Sequence, residues 1–203
     1  MRIAFIGTGH VAAALAPPLA AAGHSVVFGS RDPEGKPDLG HPVLTYADAV
    51  AGADVVVNAS LGRASLDVFR AIGDAPLAGK VLLDLGNAAT AEYDLVYPDS
   101  SLAEALQELL PSARVVKTAN TAFINLIADP SLMQEKGHLF VSGDDDAAKE
   151  TARGLLADLG WTGDAVIDLG GIQSARGVEH YHLMMLALIR ATGNPMVNIK
   201  VVH

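Results

Sequence analysis

The first twelve residues, MRIAFIGTGHVA, constrain this chain more than any other stretch. Residues 2–6 read as a short apolar strand, Gly7-Thr8-Gly9-His10-Val11-Ala12 fits G-x-G-x-x-G/A, and an Ala/Leu-rich stretch at helical density follows. In a strand, turn and helix with this spacing each small residue has a task. Gly7 permits the sharp turn, Gly9 leaves room for a pyrophosphate to approach the backbone, and Ala12 lets the helix pack close to the strand. Free N–H groups at the helix start and the helix dipole favour phosphate there. Gly7, Thr8, Gly9, His10, Val11 and Ala12 are therefore candidate dinucleotide ligands. For the motif alone, a tight glycine turn without a ligand is the alternative.

The next strand bears on that choice. Residues 25–28 run into Gly29-Ser30-Arg31, and Gly29 lies 20 residues after Gly9. At that distance an NAD-binding chain carries an Asp or Glu for the ribose 2′-hydroxyl. Here the strand ends in a hydroxyl and a guanidinium, with Lys36 five residues beyond. An Arg fork matches a phosphate dianion, so Ser30, Arg31 and Lys36 predict NADP(H) over NAD(H). Asp32 is a competing partner for Arg31, and a solvated turn of mixed charge is the bland alternative.

Strand and helix patterns then alternate. Strands are expected at 54–58, 81–85, 113–117, 139–141 and 165–169, and helices at 10–22, 64–72, 101–110, 147–159 and 174–192. Thr45-x-x-Asp48 and Ser101-x-x-Glu104 read as capping boxes, the first opening a short helix that ends near Gly52. Pro17 and Pro18 fall inside the first helix and predict a kink. Residues 32–42 read as a Pro/Gly-rich loop, 88–100 as a long connection without period, and the tail 198–202 as a short returning strand. This alternation predicts an α/β chain with a doubly wound, mainly parallel sheet of Rossmann type and a C-terminal helical extension. Ligands then gather at the strand C-terminal ends. Asn58, Ser60, Asn87, Asn120 and Thr121 lie there and suit ribose hydroxyls and a carboxamide.

The 203 residues are 50% hydrophobic and 18% charged, which suits one NAD(P)-binding domain over 1–203, with 171–203 contributing to a substrate site or a dimer. A net charge of −9 argues against nucleic acid as a partner. Without cysteine, thiol nucleophiles and Cys-ligated metals are excluded. No metal site is expected. The run Asp144-Asp145-Asp146 reads as a helix cap, and His180 and His182 point to different faces, although Glu179 and His182 are spaced to meet at i, i+3. Residues 183–189 are apolar all round, so that segment should be buried on more than one side, the sheet on one and a second copy of the chain on the other. With the early apolar run broken by Gly7 to His10, the chain reads as a cytoplasmic protein without a membrane span, and a homodimer.

The G-T-G-H-V-A loop, the G-S-R after the second strand, V-S-G-D-D-D-A-A-K at 141–149, D-L-G-G-I-Q-S-A-R at 168–176 and the tail N-P-M-V-N-I-K-V-V occur together in this order. That set resembles the NADPH-dependent coenzyme F420 reductases and their bacterial look-alikes, over nearly the whole chain. The resemblance implies hydride transfer between NADP(H) and a deazaflavin, coenzyme F420, as co-substrate. Thr8, Ser30, Arg31 and Lys36 would hold the adenosine 2′-phosphate end or pyrophosphate. Asn87, Ala88, Asn120 and Thr121 would lie near the two reacting rings. The chain departs from deazaflavin-binding members at residues 119–123, where those carry a His and a Pro, so another flavin, a quinone or a small carbonyl is the alternative small-molecule redox acceptor.

Hydride transfer between two aromatic carriers asks the protein for orientation and exclusion of water more than for acid–base chemistry. No catalytic side chain is therefore expected. A carbonyl reductase would need a proton donor, for which Tyr93 and Tyr97 on the long connection are the candidates, loop-anchoring aromatics being their alternative role. A non-catalytic NADP(H) sensor is the reading from a different class.

Overall fold

The computed structural model describes residues 1–36 and 38–202; Pro37, within the loop expected over 32–42, and His203 lie outside the described residues. Among the described residues eight strands form one sheet: β1 (Arg2–Ile6), β2 (Ser25–Ser30), β3 (Val43–Thr45), β4 (Val55–Asn58), β5 (Val81–Asp84), β6 (Arg114–Thr118), β7 (Leu139–Ser142) and β8 (Val166–Asp168). Their order is β3-β2-β1-β4-β5-β6-β7-β8. Neighbours are parallel except β6 and β7, which pair antiparallel through Lys117 with Ser142 and Thr118 with Val141.

Among the described residues seven α-helices join them: α1 (His10–Ala21), α2 (Tyr46–Ala51), α3 (Ser65–Ile72), α4 (Leu102–Leu109), α5 (Ile124–Ala128), α6 (Asp146–Asp158) and α7 (Ala175–Thr192). The strands are short apolar runs because a parallel sheet is covered on both faces. Alternation splits their side chains between two cores. Ile3, Phe5, Val55, Val57, Val81, Leu83 and Val116 pack with Leu15 and Leu19 of α1 and Leu155 of α6. Ala4, Ile6, Val56, Leu82 and Val115 pack with Ala49 of α2, Phe69 of α3, Leu106 of α4 and Ala175 of α7.

Register then carries polar residues into the second core. Ile6 lies opposite Gly29 and Asn58, Asn58 opposite Asp84, and Asp84 opposite Lys117. Residues facing one another across a parallel ladder point to the same side. Asn58, Asp84 and Lys117 thus form one row at the strand C-terminal ends, on the face that α7 covers.

The expected caps are present. Thr45 Oγ1 accepts from Asp48 N at 3.2 Å, Ser101 Oγ from Glu104 N at 3.1 Å, and Asp145 Oδ1 from Ala148 N at 2.7 Å. Each such cap is worth about 1 kcal/mol. The span of α1 continues through Pro17 and Pro18, with Pro18 O accepting from Ala22 N.

Other expectations are corrected. The strand β3 and the helix α5 each span five residues or fewer, too short for a periodic signal. The tail forms no strand: Ile199 O accepts from His138 N at 2.7 Å, but Val201 N donates to the His138 ring Nδ1, so a side chain replaces the second ladder bond. In α7 the apolar run is covered on one side within this chain, and Leu183, Met184 and Leu188, 39%, 53% and 38% exposed, lie on the side where a second copy is expected. Glu179 does not pair with His182, because it is drawn into the sheet by Lys117 at 2.9 Å.

Candidate functional site

Gly7 leaves β1 at φ +118°, a conformation that L side chains rarely adopt. A Cβ there would also come within 2.6 Å of the Ala59 carbonyl oxygen, so the turn lies tight against the end of β4. Gly9 differs: a Cβ would meet nothing within 4 Å. Gly9 is the N-cap of α1 and no side chain caps that helix. Ala12 is fully buried against the sheet. The backbone donors at the start of α1, an open approach at Gly9 and a positive dipole end fit a pyrophosphate. Thr8 is half-buried beside the turn, Val11 half-buried behind it, and the exposed His10 ring lies 6.3 Å from the Phe123 ring.

At the end of β2, Ser30 is buried and its hydroxyl exchanges hydrogen bonds with the Asp32 backbone, both at 3.1 Å. Ser30 therefore shapes the turn. The Asp32 carboxylate accepts from Gly35 N at 3.1 Å rather than pairing with Arg31. Arg31 and Lys36 are exposed and carry no ion pair among the described residues. In an acidic chain, two unpaired cations at this strand end fit a 2′-phosphate.

On the other side of β1 the polar residues bind one another. Asn58 is fully buried and its amide donates to Asp84 Oδ1 at 2.8 Å and Ser65 Oγ at 3.0 Å. Ser60 Oγ donates to Asn58 Oδ1 at 2.6 Å. Asn58 is thus a core residue, contrary to the expectation that it faces a ribose, and the Ser60 hydroxyl is engaged inward. Asn87 and Asn120 join the loops after β5 and β6: Asn87 Nδ2 donates to the Asn120 carbonyl at 3.0 Å, and Asn120 Nδ2 donates to Asn87 Oδ1 and to the Val178 carbonyl, each at 3.0 Å. Ala88 is buried and its carbonyl accepts from Val96 N at 3.0 Å. Thr121 is buried with no hydrogen-bond partner for its hydroxyl among the described residues. Ala119, just before this loop, holds φ +53°.

Beneath these loops lies a charged centre that sequence reasoning missed. The Lys117 ammonium contacts Asp84 Oδ2 at 2.8 Å, Glu179 Oε1 at 2.9 Å and the Gly86 carbonyl. Glu179 also accepts from Leu102 N at 2.8 Å and Ala103 N at 3.2 Å, so a carboxylate from α7 caps α4 across 77 positions of chain. Burial opposes the Lys117 charge, but Asp84 and Glu179 outweigh it and hold its pKa above the ordinary lysine value. Burial pushes Glu179 up against the pull of Lys117. Burial lowers His182, as does the positive charge of Lys117. The only sequence signal for this centre was a lysine and an aspartate at the ends of otherwise apolar strands.

The tyrosines of the long connection stand apart. Tyr93 is exposed at φ +70° with the Arg190 guanidinium 5.4 Å from its ring centre. Tyr97 is half-buried, and burial raises its phenol pKa, helped by the charge of Glu179. Among the described residues no group of three or more His, Cys, Asp and Glu is placed to hold a metal ion, and no helix is long and apolar enough to cross a membrane.

A glycine turn at a helix start, on the central strand of a doubly wound sheet, defines the class: a Rossmann-type dinucleotide-binding protein. Residues 2–88 match the family model described as NADP oxidoreductase, coenzyme F420-dependent. An F420-dependent NADP reductase of Methanothermobacter thermautotrophicus is 30% identical, covering 93% of this chain and 89% of its own. Metalloreductase STEAP3 of Rattus norvegicus is 31% identical over 91% of this chain, which spans only 37% of that protein. A crystal structure from Arthrobacter sp. FB24, provisionally named an F420-dependent NADP-reductase, superposes with a TM-score of 0.93 at 37% identity and covers both chains fully. The chain belongs to the F420-dependent NADP oxidoreductase family and is an NADP-dependent oxidoreductase of that type.

Proposed function

We propose that the chain transfers a hydride between NADPH and a deazaflavin, coenzyme F420. The observation that carries this reading is likeness along nearly the whole length to a protein named for that reaction, 93% of one chain on 89% of the other. The turn between the end of β1 and the start of α1 supplies the fit for the dinucleotide. Residues 7–12 hold the pyrophosphate on the free N–H groups at the start of α1. Thr8, Ser30, Arg31 and Lys36 hold the 2′-phosphate end, Arg31 and Lys36 as its charge partners. Ser60, Asn87, Ala88, Asn120 and Thr121 border the reacting rings.

NADPH, when bound, supplies the hydride. The chain orients the rings and excludes water, and no side chain is needed as acid or base. Residues 1–203 act as one domain, with α7 and the tail walling the acceptor site. The exposed Leu183, Met184 and Leu188 form the face on which a cytoplasmic homodimer assembles, which sedimentation velocity reads directly.

The test adds NADPH and protein to oxidised coenzyme F420 and follows the deazaflavin's visible absorbance. Protein-dependent bleaching is the expected result. Absence of bleaching, with NADPH binding measured in the same sample, refutes the acceptor. Oxidation of NADPH by a flavin, quinone or carbonyl would then define a different reductase, and binding without any turnover a sensor.

A further inference from the structure

The buried charges and the two loop asparagines form one closed circuit. Glu179 of α7 binds Lys117 of β6 at 2.9 Å, and Lys117 binds Asp84 of β5 at 2.8 Å. Together these last two hold both backbone groups of Gly86: Asp84 Oδ1 accepts its N–H at 3.0 Å, and the Lys117 ammonium donates to its carbonyl. Gly86 leads into Asn87, Asn87 pairs reciprocally with Asn120, and Asn120 donates to the Val178 carbonyl, back on α7 next to Glu179. Space is closed as well, since a Cβ on Gly86 would lie 2.8 Å from Leu102 Cδ2 of α4.

We infer that Lys117 and Glu179 are positioning residues: one buried ammonium, clamped by a carboxylate from α7, sets the place of the Asn87 and Asn120 wall against which the reacting rings lie. Three features carry this. The charged part of the circuit is enclosed, with Lys117 and Asp84 at 0% exposure and Glu179 at 5%, so solvent does not compete for the ion pairs, while the half-buried Asn87 carries their position out to the surface of the cleft. Its members are spread over β5, β6 and α7, so the position of α7 and the shape of the turn after β5 depend on each other. Finally, it bypasses the other half of the cleft. Among the described residues, residues 7–12 and the Ser30 turn share no hydrogen bond with it; its link toward them runs through Asn58, which donates to Asp84 and precedes the Ala59 carbonyl beside Gly7, so a shift at the reacting end reaches the phosphate end only indirectly. A buried ion pair contributes little net stability relative to apolar packing, which leaves geometry as what it supplies here. The inference rests on the ring placement proposed above.

The test uses the full-length protein and Glu179→Gln. The amide keeps the size and one acceptor oxygen, which still serves Ala103 N and Lys117, and loses the acceptor that faces Leu102 N. Three quantities are read: binding of 2′,5′-ADP, which occupies the phosphate end alone; kcat and KM for NADPH with saturating acceptor; and amide hydrogen exchange at residues 85–88 and 119–121. The expected result is unchanged 2′,5′-ADP binding, KM within about twofold, kcat lower by about ten- to a hundredfold, and faster exchange confined to those two loops. Lys117→Met is expected to accelerate exchange at the same loops further. Unchanged exchange at both loops overturns the inference, as does faster exchange with unchanged kcat. A fall in 2′,5′-ADP binding together with faster exchange across the sheet overturns it too, and marks the pair as merely structural. Wild-type protein that oxidises no NADPH refutes the proposed function instead, and the exchange measurements then decide the coupling alone.

Discussion

Replacing Lys117 by methionine isolates the energetic side of the buried centre. The ammonium is fully enclosed, 2.8 Å from one carboxylate and 2.9 Å from a second. Methionine fills most of the volume but leaves two carboxylates facing each other without a counter-charge, and the Gly86 carbonyl without its donor. Removing one partner from a buried ion pair costs about 3–5 kcal/mol. In a chain of this length each kcal/mol moves the melting temperature by about 2–4 °C, so the expected fall is about 6–20 °C. Urea unfolding at pH 7, fitted with a shared slope, gives the free energy. The neutral triple variant Asp84→Asn, Lys117→Met, Glu179→Gln is expected to recover most of the loss, because it removes the charge imbalance. The pH dependence has a definite sign. Burial already raises the folded-state pKa of Glu179, and without the pull of the ammonium it rises further above its unfolded value, so protons bind the folded state more tightly, and Lys117→Met regains stability as pH falls from 7 towards 5. A single variant within about 1 kcal/mol of wild type, or a triple variant no better than the single, refutes the argument.

Arg31→Ala is expected to weaken NADPH binding by about tenfold to a hundredfold and to leave NADH nearly unchanged, as read by titration calorimetry; equal loss for both would make Arg31 a fold residue. Gly7→Ala should destabilise by about 1–3 kcal/mol or more in urea unfolding, from its positive φ and the contact with Ala59. Gly9→Ala, with open space at its Cβ, should leave stability within about 0.5 kcal/mol while weakening NADPH binding. Asp54 is held at a pKa of about 2 by the side-chain and backbone hydrogen bonds of Arg2. A folded-state value below the unfolded one means stability that is present at neutral pH and lost as pH falls through about 2, so Asp54→Asn should matter at pH 7 and not at pH 1, with the carboxyl NMR shift titrating near pH 2.

The glycine turn and the cation pair after β2 were legible because their determinants are local. The turn at Gly7, the start of α1 and the cations after β2 lie within or directly beside the elements that use them. The capping boxes at Thr45 and Ser101 were legible for the same reason, as was the alternation of strands with helices along the chain. The polar groups at the ends of β4, β5 and β6 were not. Asn58, Asn87 and Asn120 looked like free hydrogen-bonding groups, yet in the fold they bind Asp84, one another and α7. Glu179 looked like a partner for His182 on its own helix.

By itself, then, the order of residues determined the class of fold, the order of the longer helices and strands and the glycine turn after β1, since each depends on spacings of a few residues. The antiparallel β7, the exposed face of α7 and the circuit through Glu179, Lys117, Asp84 and Gly86 were decided only by tertiary structure. Sheet register sets Asp84 beside Lys117 across 33 positions, and helix packing brings Glu179 to both. A polar group left in that low-dielectric space without its partner would cost more than the chain can spare, so it is the assembled neighbours, and no local pattern, that determine which groups stand there charged.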